Sequence, residues 1–241
     1  MKTLRYCRFI IHLLRAALTL AILFPWIDNV SRDFHIQKWS RRLFEILNIA
    51  INIEGDMEIP QGGAFYVANH ISWLDIHLIH TWRSLHFVAK SEVASWPLLG
   101  WFADRLNTIY IQREKLSSAK VVVKVIAARM KEGDQVCVFP EGTTSTGEGV
   151  LEFRSNLFQA VIDTQVPCIS IAILYKNAQT GLKTDIPAYI GDMTIIDSIK
   201  RVLGGENINA TLIVKRVHAD DCDRKTMAKK AWESIQLSVN T

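Results

Sequence analysis

The sequence predicts an α/β protein: a single central, mostly mixed β-sheet flanked by helices, preceded by an N-terminal hydrophobic helical segment for membrane attachment. Three observations carry this reading. Of 241 residues, 49% are hydrophobic and 22% charged, with 12 Gly and 6 Pro. That excludes a disordered, collagen-like or disulfide-knotted chain, and the length suffices to bury one full core. Downstream of Glu54, short apolar runs alternate with segments of helical period, as strands interleaved with helices do. The first 50 residues join an apolar run to eight basic and three acidic groups, a net +5 in a chain whose total is +4. A nucleic-acid binder would spread its positive charge over the main domain; a basic leader beside an apolar run reads instead as attraction to anionic lipid.

In the leader, Phe9–Ile27 reads FIIHLLRAALTLAILFPWI, and its uninterrupted apolar part is Ala16–Ile27. Twelve helical residues reach ~18 Å, short of the ~30 Å hydrocarbon core. Arg5, Arg8 and Arg15 have stems long enough to snorkel to headgroups, and Pro25-Trp26 suits an interfacial stop. A secretory signal peptide is the competing reading, but LFPWIDNV has no small-x-small cleavage site; a buried core helix is a third. The favoured form is an uncleaved helix dipping into or lying on the cytoplasmic leaflet. A second helix, Lys38 to Ile49, places Trp39, Leu43, Ile46 and Leu47 on one face. Domain organisation follows: 1–48 as membrane-associating helices, 49–241 as the main domain. Six of seven tryptophans lie in the first 101 residues, as at a wet-dry boundary; scattered core tryptophans are the plainer alternative.

In the body, predicted strands are Ala64–Asn69, Leu85–Lys90, Thr108–Gln112, Gln135–Phe139, Cys168–Leu174 and Ala210–Val217, chosen for β-branched and aromatic content between turn residues. Predicted helices are Trp73–Trp82, Leu98–Arg105, Ser117–Lys131, Asn156–Thr164, Thr194–Leu203 and Arg224–Ser238. Gly133 closes the third of these. The four cysteines (Cys7, Cys137, Cys168, Cys222) stand far apart, with no metal-ligand spacing, and read as reduced thiols in a cytosolic compartment. His77, His80 and His86 lack a carboxylate or cysteine at ligand spacing and read as structural. No metal site is expected.

Chemistry concentrates in three strand-end turns. Asn69-His70-Ile71-Ser72-Trp73-Leu74-Asp75 puts His70 at a strand's C-terminal end, where open α/β sheets bind ligands. Asp75 in the first helical turn can bend back to the imidazole, fix its tautomer and leave the other nitrogen as a proton acceptor. Alternatively, His70 caps the helix and Asp75 offsets its dipole. Phe139-Pro140-Glu141-Gly142-Thr143-Thr144-Ser145 follows another apolar strand, and its exposed N–H groups and hydroxyls suit an anionic oxygen; an ordinary turn is the alternative. Arg113 ends the Thr108–Gln112 strand and offers a planar fork for phosphate or carboxylate, or is a solvated surface charge. Walker, nucleophile-elbow, dinucleotide and zincin motifs are missing, and Ser145 has no nucleophile frame.

These stretches, in this order, resemble the 1-acyl-sn-glycerol-3-phosphate acyltransferase family of glycerolipid acyltransferases. Phe87-Val88-Ala89-Lys90 and Trp96-Pro97-Leu98-Leu99-Gly100 resemble the family's segment between its first two motifs, and Val166-Pro167 falls where its fourth begins. The resemblance covers roughly residues 50 to 175. It implies direct acyl transfer from acyl-CoA or acyl carrier protein to a lysolipid hydroxyl, most of all that of 1-acyl-sn-glycerol-3-phosphate, with His70 as general base and Asp75 orienting it. It implies acceptor-headgroup contacts at Arg113, Glu141, Gly142 and Thr143, and no cofactor or metal. No nucleic-acid partner is expected, and the enzyme is expected at the cytoplasmic face of the membrane. A non-catalytic lipid-binding protein that kept the fold is the alternative of another class.

The departures bear on the acceptor. Thr144 stands where the family's third motif usually has Arg, Asn107 where the second usually starts with Gly, and Cys168-Ile169-Ser170 lacks the fourth motif's second proline. Losing a cation at 144 weakens the case for a phosphate monoester. Ala188-Tyr189-Ile190-Gly191-Asp192-Met193 is similar to the branch that holds lyso-ornithine lipid acyltransferases. Arg154 compensates for Thr144, meets an acidic acyl carrier protein, or is a solvated charge.

Overall fold

A computed structural model describes residues 2–56, 58, 60–95, 99–111, 116–218 and 222–240 of the chain. Seven strands form one sheet: β1 (Ile49–Gly55), β2 (Ala64–Ala68), β3 (His86–Lys90), β4 (Ile109–Ile111), β5 (Gln135–Val138), β6 (Cys168–Asn177) and β7 (Ile208–Val217). Their order is β1-β7-β6-β2-β5-β3-β4. β6 and β7 pair antiparallel and every other neighbour is parallel, so the sheet is mixed, as the sequence predicts.

Alternation along β2 divides the core. Ala64, Tyr66 and Ala68 face one apolar cluster, and Phe65 and Val67 the other; β2 is buried on both sides, which is why it reads as a continuous apolar run. The first cluster is closed by α1 (Lys2–Leu18), α2 (Asn29–Leu47), α3 (Leu74–Trp82) and α7 (Ile195–Gly204). The second is closed by α5 (Leu116–Lys131), α6 (Gln159–Thr164) and α8 (Arg224–Val239). The short helix α4 (Leu99–Arg105) leads to β4.

Three local expectations are corrected. The helix expected at Lys38–Ile49 runs Asn29–Leu47, started by the Asp28 side chain accepting from Ser31 N–H at 3.0 Å and stopped by Asn48 in the left-handed region (φ 59°). The chain then enters β1, a strand absent from the sequence reading, because Ile49, Ile51 and Ile53 alternate with Ala50, Asn52 and Glu54 and the strand pairs only with β7 at the sheet edge. Residues 156–158, expected as the start of a helix, form a 3-10 turn (Ser155–Phe158) before α6. Trp39, Trp73 and Trp82 pack on the first core cluster rather than at a boundary, whereas Trp26 is 85% exposed. Trp96, Pro97, Leu98, Gln112 and Arg113 lie outside the described residues.

The leader is not one continuous helix. α1 passes into a π-helical turn (Thr19–Leu23) and a 3-10 turn (Phe24–Trp26), where Pro25 withholds an N–H. Arg105 donates to Leu20 C=O at 3.2 Å, and Arg32 to Phe24 C=O at 2.7 and 3.1 Å, satisfying carbonyls that the distorted turns leave open. Phe9, His12, Ala16, Leu20 and Phe24 are buried on one face; Leu4, Ile11, Leu14, Leu18 and Ile22 are exposed on the other. His12 stacks on Trp39 at 4.6 Å and the two exchange ring-to-carbonyl hydrogen bonds of 3.0 and 3.3 Å, clamping α1 to α2. Arg5 is not free for lipid, because it donates to Leu203 C=O near the end of α7 at 3.0 Å.

Just beyond β2, the buried Asn69 amide replaces a rung of the ladder. It accepts from Ile173 N–H at 2.7 Å and donates to Ile173 C=O at 3.0 Å, holding the turn that carries His70 against β6. Asn69→Ala strips both partners in a dry site, and each orphaned group costs ≈ 1–3 kcal/mol. The variant should lose about 2–4 kcal/mol in urea unfolding; a loss under about 0.5 kcal/mol would show the bridge to be dispensable.

Candidate active site

The site is built from the C-terminal ends of β2 and β5, neighbours in the sheet centre. The turn after β2 supplies His70, and the chain winds at once into α3, so Asp75 comes round to face it. Asp75 Oδ2 accepts the Ile71 N–H at 2.6 Å, the Ser72 N–H at 2.8 Å and His70 Nδ1–H at 2.9 Å. The two readings of Asp75, helix-start anchor and imidazole partner, are therefore both fulfilled by one oxygen. Its other oxygen, Oδ1, accepts the Tyr175 hydroxyl at 2.9 Å. Both side chains are buried, and burial together with the neighbouring carboxylate drives the Tyr175 phenol well above its ordinary range, so it stays a donor.

A carboxylate on Nδ1 makes that nitrogen the donor and leaves Nε2 with its lone pair. The His70 side chain is 20% exposed, and no described residue hydrogen-bonds its Nε2. The ring lies flat on Phe139 (centroids 4.0 Å apart, 13° between planes), and Phe87 stacks behind it at 5.7 Å. The imidazole thus has an apolar wall on one side, a fixed proton on one nitrogen and an open acceptor on the other.

The turn after β5 grips the same residue. Glu141 Oε1 accepts the His70 N–H at 2.6 Å, and Oε2 accepts the Leu151 N–H at 3.0 Å. Burial pushes the Glu141 carboxyl up to about 7, against the pull of those two N–H groups. Ser145 N–H donates to His70 C=O at 2.8 Å, with its hydroxyl directed to the same carbonyl at 3.3 Å. Gly142 makes the bend between them at φ +76°. Thr143 is exposed at the tip, while Thr144 donates its hydroxyl to Tyr189 C=O. The structure therefore brings His70, Asp75, Glu141, Gly142 and Thr143 together. It places Glu141 under the His70 backbone, with both oxygens occupied. Tyr175 was missed by sequence reading because a Tyr inside an apolar strand carries no turn or spacing signal. His77, half-buried, and His80, buried, stay apart from the site and are held neutral by desolvation at about 3 and about 4; His86 faces Asp134 at 3.6 Å, among residues at the opposite ends of β3 and β5.

A central sheet with an Asp-held histidine at its carboxyl edge is an α/β arrangement suited to proton abstraction at a strand-end cleft. Residues 50–174 match the Acyltransferase family, and the chain belongs to that family. It is similar to a lyso-ornithine lipid O-acyltransferase of Rhodobacter capsulatus, 42% identical over 183 residues, covering 72% of this chain and 64% of the relative. It is also similar to a 1-acyl-sn-glycerol-3-phosphate acyltransferase of Neisseria meningitidis, 28% identical over 211 residues, covering 87% and 82%. In fold, it matches the crystal structure of the 1-acyl-sn-glycerophosphate acyltransferase of Thermotoga maritima, with TM-score 0.68 and 20% identity, covering 100% of this chain and 97% of that one. The chain is an acyltransferase.

Tyr175→Phe keeps the packing and removes one donor to Asp75. Leaving Oδ1 unpaired in a dry site should destabilise the protein by about 1–3 kcal/mol. With one donor gone, the carboxylate that anchors His70 is held less firmly, so turnover should fall together with stability. A variant with lowered stability and unchanged turnover would reduce the hydroxyl to a packing role.

Proposed function

We propose that the chain transfers a fatty acyl group from a thioester donor, acyl-CoA or acyl carrier protein, to the free hydroxyl of a lysolipid, with 1-acyl-sn-glycerol-3-phosphate as acceptor and phosphatidate as product. The observation that carries this reading is the 2.9 Å His70–Asp75 contact with Nε2 left open. Nε2 takes the proton of the acceptor hydroxyl as its oxygen attacks the thioester carbonyl. The tetrahedral intermediate collapses, the C–S bond breaks, and the thiolate recovers the proton from the imidazolium, whose charge Asp75 balances. The nearby hydroxyls support direct transfer over a serine acyl-enzyme: Ser145 is directed to His70 C=O, and Ser72 accepts the Leu74 N–H. A non-catalytic lipid binder would have no need of the His70–Asp75 contact.

A second acceptor, lyso-ornithine lipid, is favoured by Thr144, which puts a neutral hydroxyl where a phosphate-binding cation is expected, and by the relative that shares 42% identity. Both acceptors are membrane lipids. Thr3–Trp26 is long and apolar enough to cross a bilayer by length and composition. Its buried inner face supports an in-plane position instead, since a lone spanning helix meets lipid all round. The exposed stripe from Leu4 to Ile22 continues through Trp26, Val30 and Phe34, with Arg8 and Arg15 exposed beside it. Half-immersion from the cytoplasmic side agrees with four free cysteines.

Purified protein with acyl-CoA and lysolipid should turn over, and His70→Ala should cost on the order of 10²–10⁴-fold in kcat; a folded variant with wild-type turnover would end the general-base mechanism. Leu14→Glu with Leu18→Glu places two charges on the exposed stripe without touching the buried one. Partitioning onto anionic vesicles should fall about 100-fold; undiminished binding would move the membrane contact elsewhere.

A further inference from the structure

α5 has more apolar surface than its core contacts use. Its inner positions, Val122, Val123, Ile126, Ala127 and Met130, are buried in the second core cluster. Its outer face is not polar throughout, as a solvated helix face would be. Val121 is 59% and Val125 41% exposed, and each stands beside an exposed lysine, Lys120 and Lys124. A four-residue step stacks the two pairs one above the other on the helix. Of the described helices after residue 48, α5 alone is charged and wholly positive, with Lys120, Lys124, Arg129 and Lys131. Arg129 is taken by Asp134, whereas Lys120 and Lys124 belong to none of the ion pairs among the described residues. The chain's +4 less the leader's +5 leaves residues 51–241 at −1, so this positive helix stands out from its own domain.

We propose that the outer face of α5, centred on Lys120, Val121, Lys124 and Val125, docks an acidic acyl carrier protein, and that the enzyme therefore takes its acyl group from the protein-borne thioester. The inference rests on the reading that a thioester donor supplies the acyl group at His70, and it chooses between the two donors. Location fits the task. β4, β3, β5 and β2 are linked by parallel pairings, so α5, which follows β4, begins at the carboxyl edge where His70 lies. At the helical rise, Lys120 and Lys124 stand only about 6 and about 12 Å along the axis from Leu116. A carrier seated there holds its thioester arm toward the site edge. Charge favours this occupant, since an acidic partner is steered to the lysines and apolar contact on Val121 and Val125 then holds it. A bilayer does not fit, because α5 covers the face of the sheet opposite the one covered by α1, and one flat membrane cannot meet both outer layers. A convex helix face also gives a free nucleotide no cleft to enter.

The test compares acyl carrier protein and CoA thioesters of one fatty acid, with the acceptor that the wild type turns over fastest. Lys120→Glu with Lys124→Glu should raise KM for the carrier-borne donor about tenfold or more, with kcat held and acyl-CoA kinetics unchanged. Unchanged acyl-CoA turnover also reports that the variant is folded. The wild-type KM for the carrier-borne donor should climb with ionic strength. Lys200→Glu, an exposed charge on α7 on the other face, should leave both donors unaffected. An equal fall with both donors, an equal fall in Lys200→Glu, or no fall in the double variant overturns the docking face. A wild type that uses acyl-CoA but not the carrier-borne thioester defeats the docking face alone. Wild-type protein that is folded and inert with both donors on every lysolipid defeats the underlying reading and the docking face together.

Discussion

The Asp75 carboxylate is the constraint on which the site depends. Its Oδ2 ties the first turn of α3 to the strand-end turn by two backbone N–H groups and at the same time fixes the imidazole. An isolated carboxylate this deeply buried would be costly. Four donors converge on it, Tyr175 included, and the cost is met by hydrogen bonds that also define geometry. The same hydrogen bonds therefore serve the local fold and the orientation of His70.

A second carboxylate, Glu141, performs the matching task on the main chain. It and Ser145 hold the N–H and C=O of His70 from opposite sides. The imidazole is therefore positioned through its side chain from α3 and through its backbone from the turn after β5. Two turns that are 71 residues apart in the chain meet because β2 and β5 are adjacent parallel strands, which bring their carboxyl ends to one edge.

Much of this was legible in the sequence. Strand-end placement made His70 and Asp75 visible, because an apolar run that stops at Asn-His and restarts at helical period announces a turn at a sheet edge. The mixed sheet followed from the alternation of runs. What escaped was set by tertiary contact. β1 is half-buried, paired on one side only and follows directly on α2, so no turn signal separates it from the helix before it. The two N–H groups that Glu141 holds, on His70 and Leu151, carry no signal in the sequence. Arg5 looked free for headgroups until the end of α7 came to meet it, and the tryptophans of α2 and α3 were drawn inward by the same packing.

The antiparallel pairing of β6 with β7 runs through ten matched positions, from Cys168 opposite Val217 to Asn177 opposite Ile208. β6 touches the site twice, at the Ile173 backbone through Asn69 and at the Tyr175 hydroxyl through Asp75. Because side chains alternate across a sheet, a slip of one residue in that ladder would turn Tyr175 to the opposite layer and offer Asn69 the wrong amide. Chemical competence is thus inherited from strand alignment: the long hairpin-like pair acts as a ruler, and a single-residue insertion within 168–175 would silence the enzyme while sparing every residue that does chemistry.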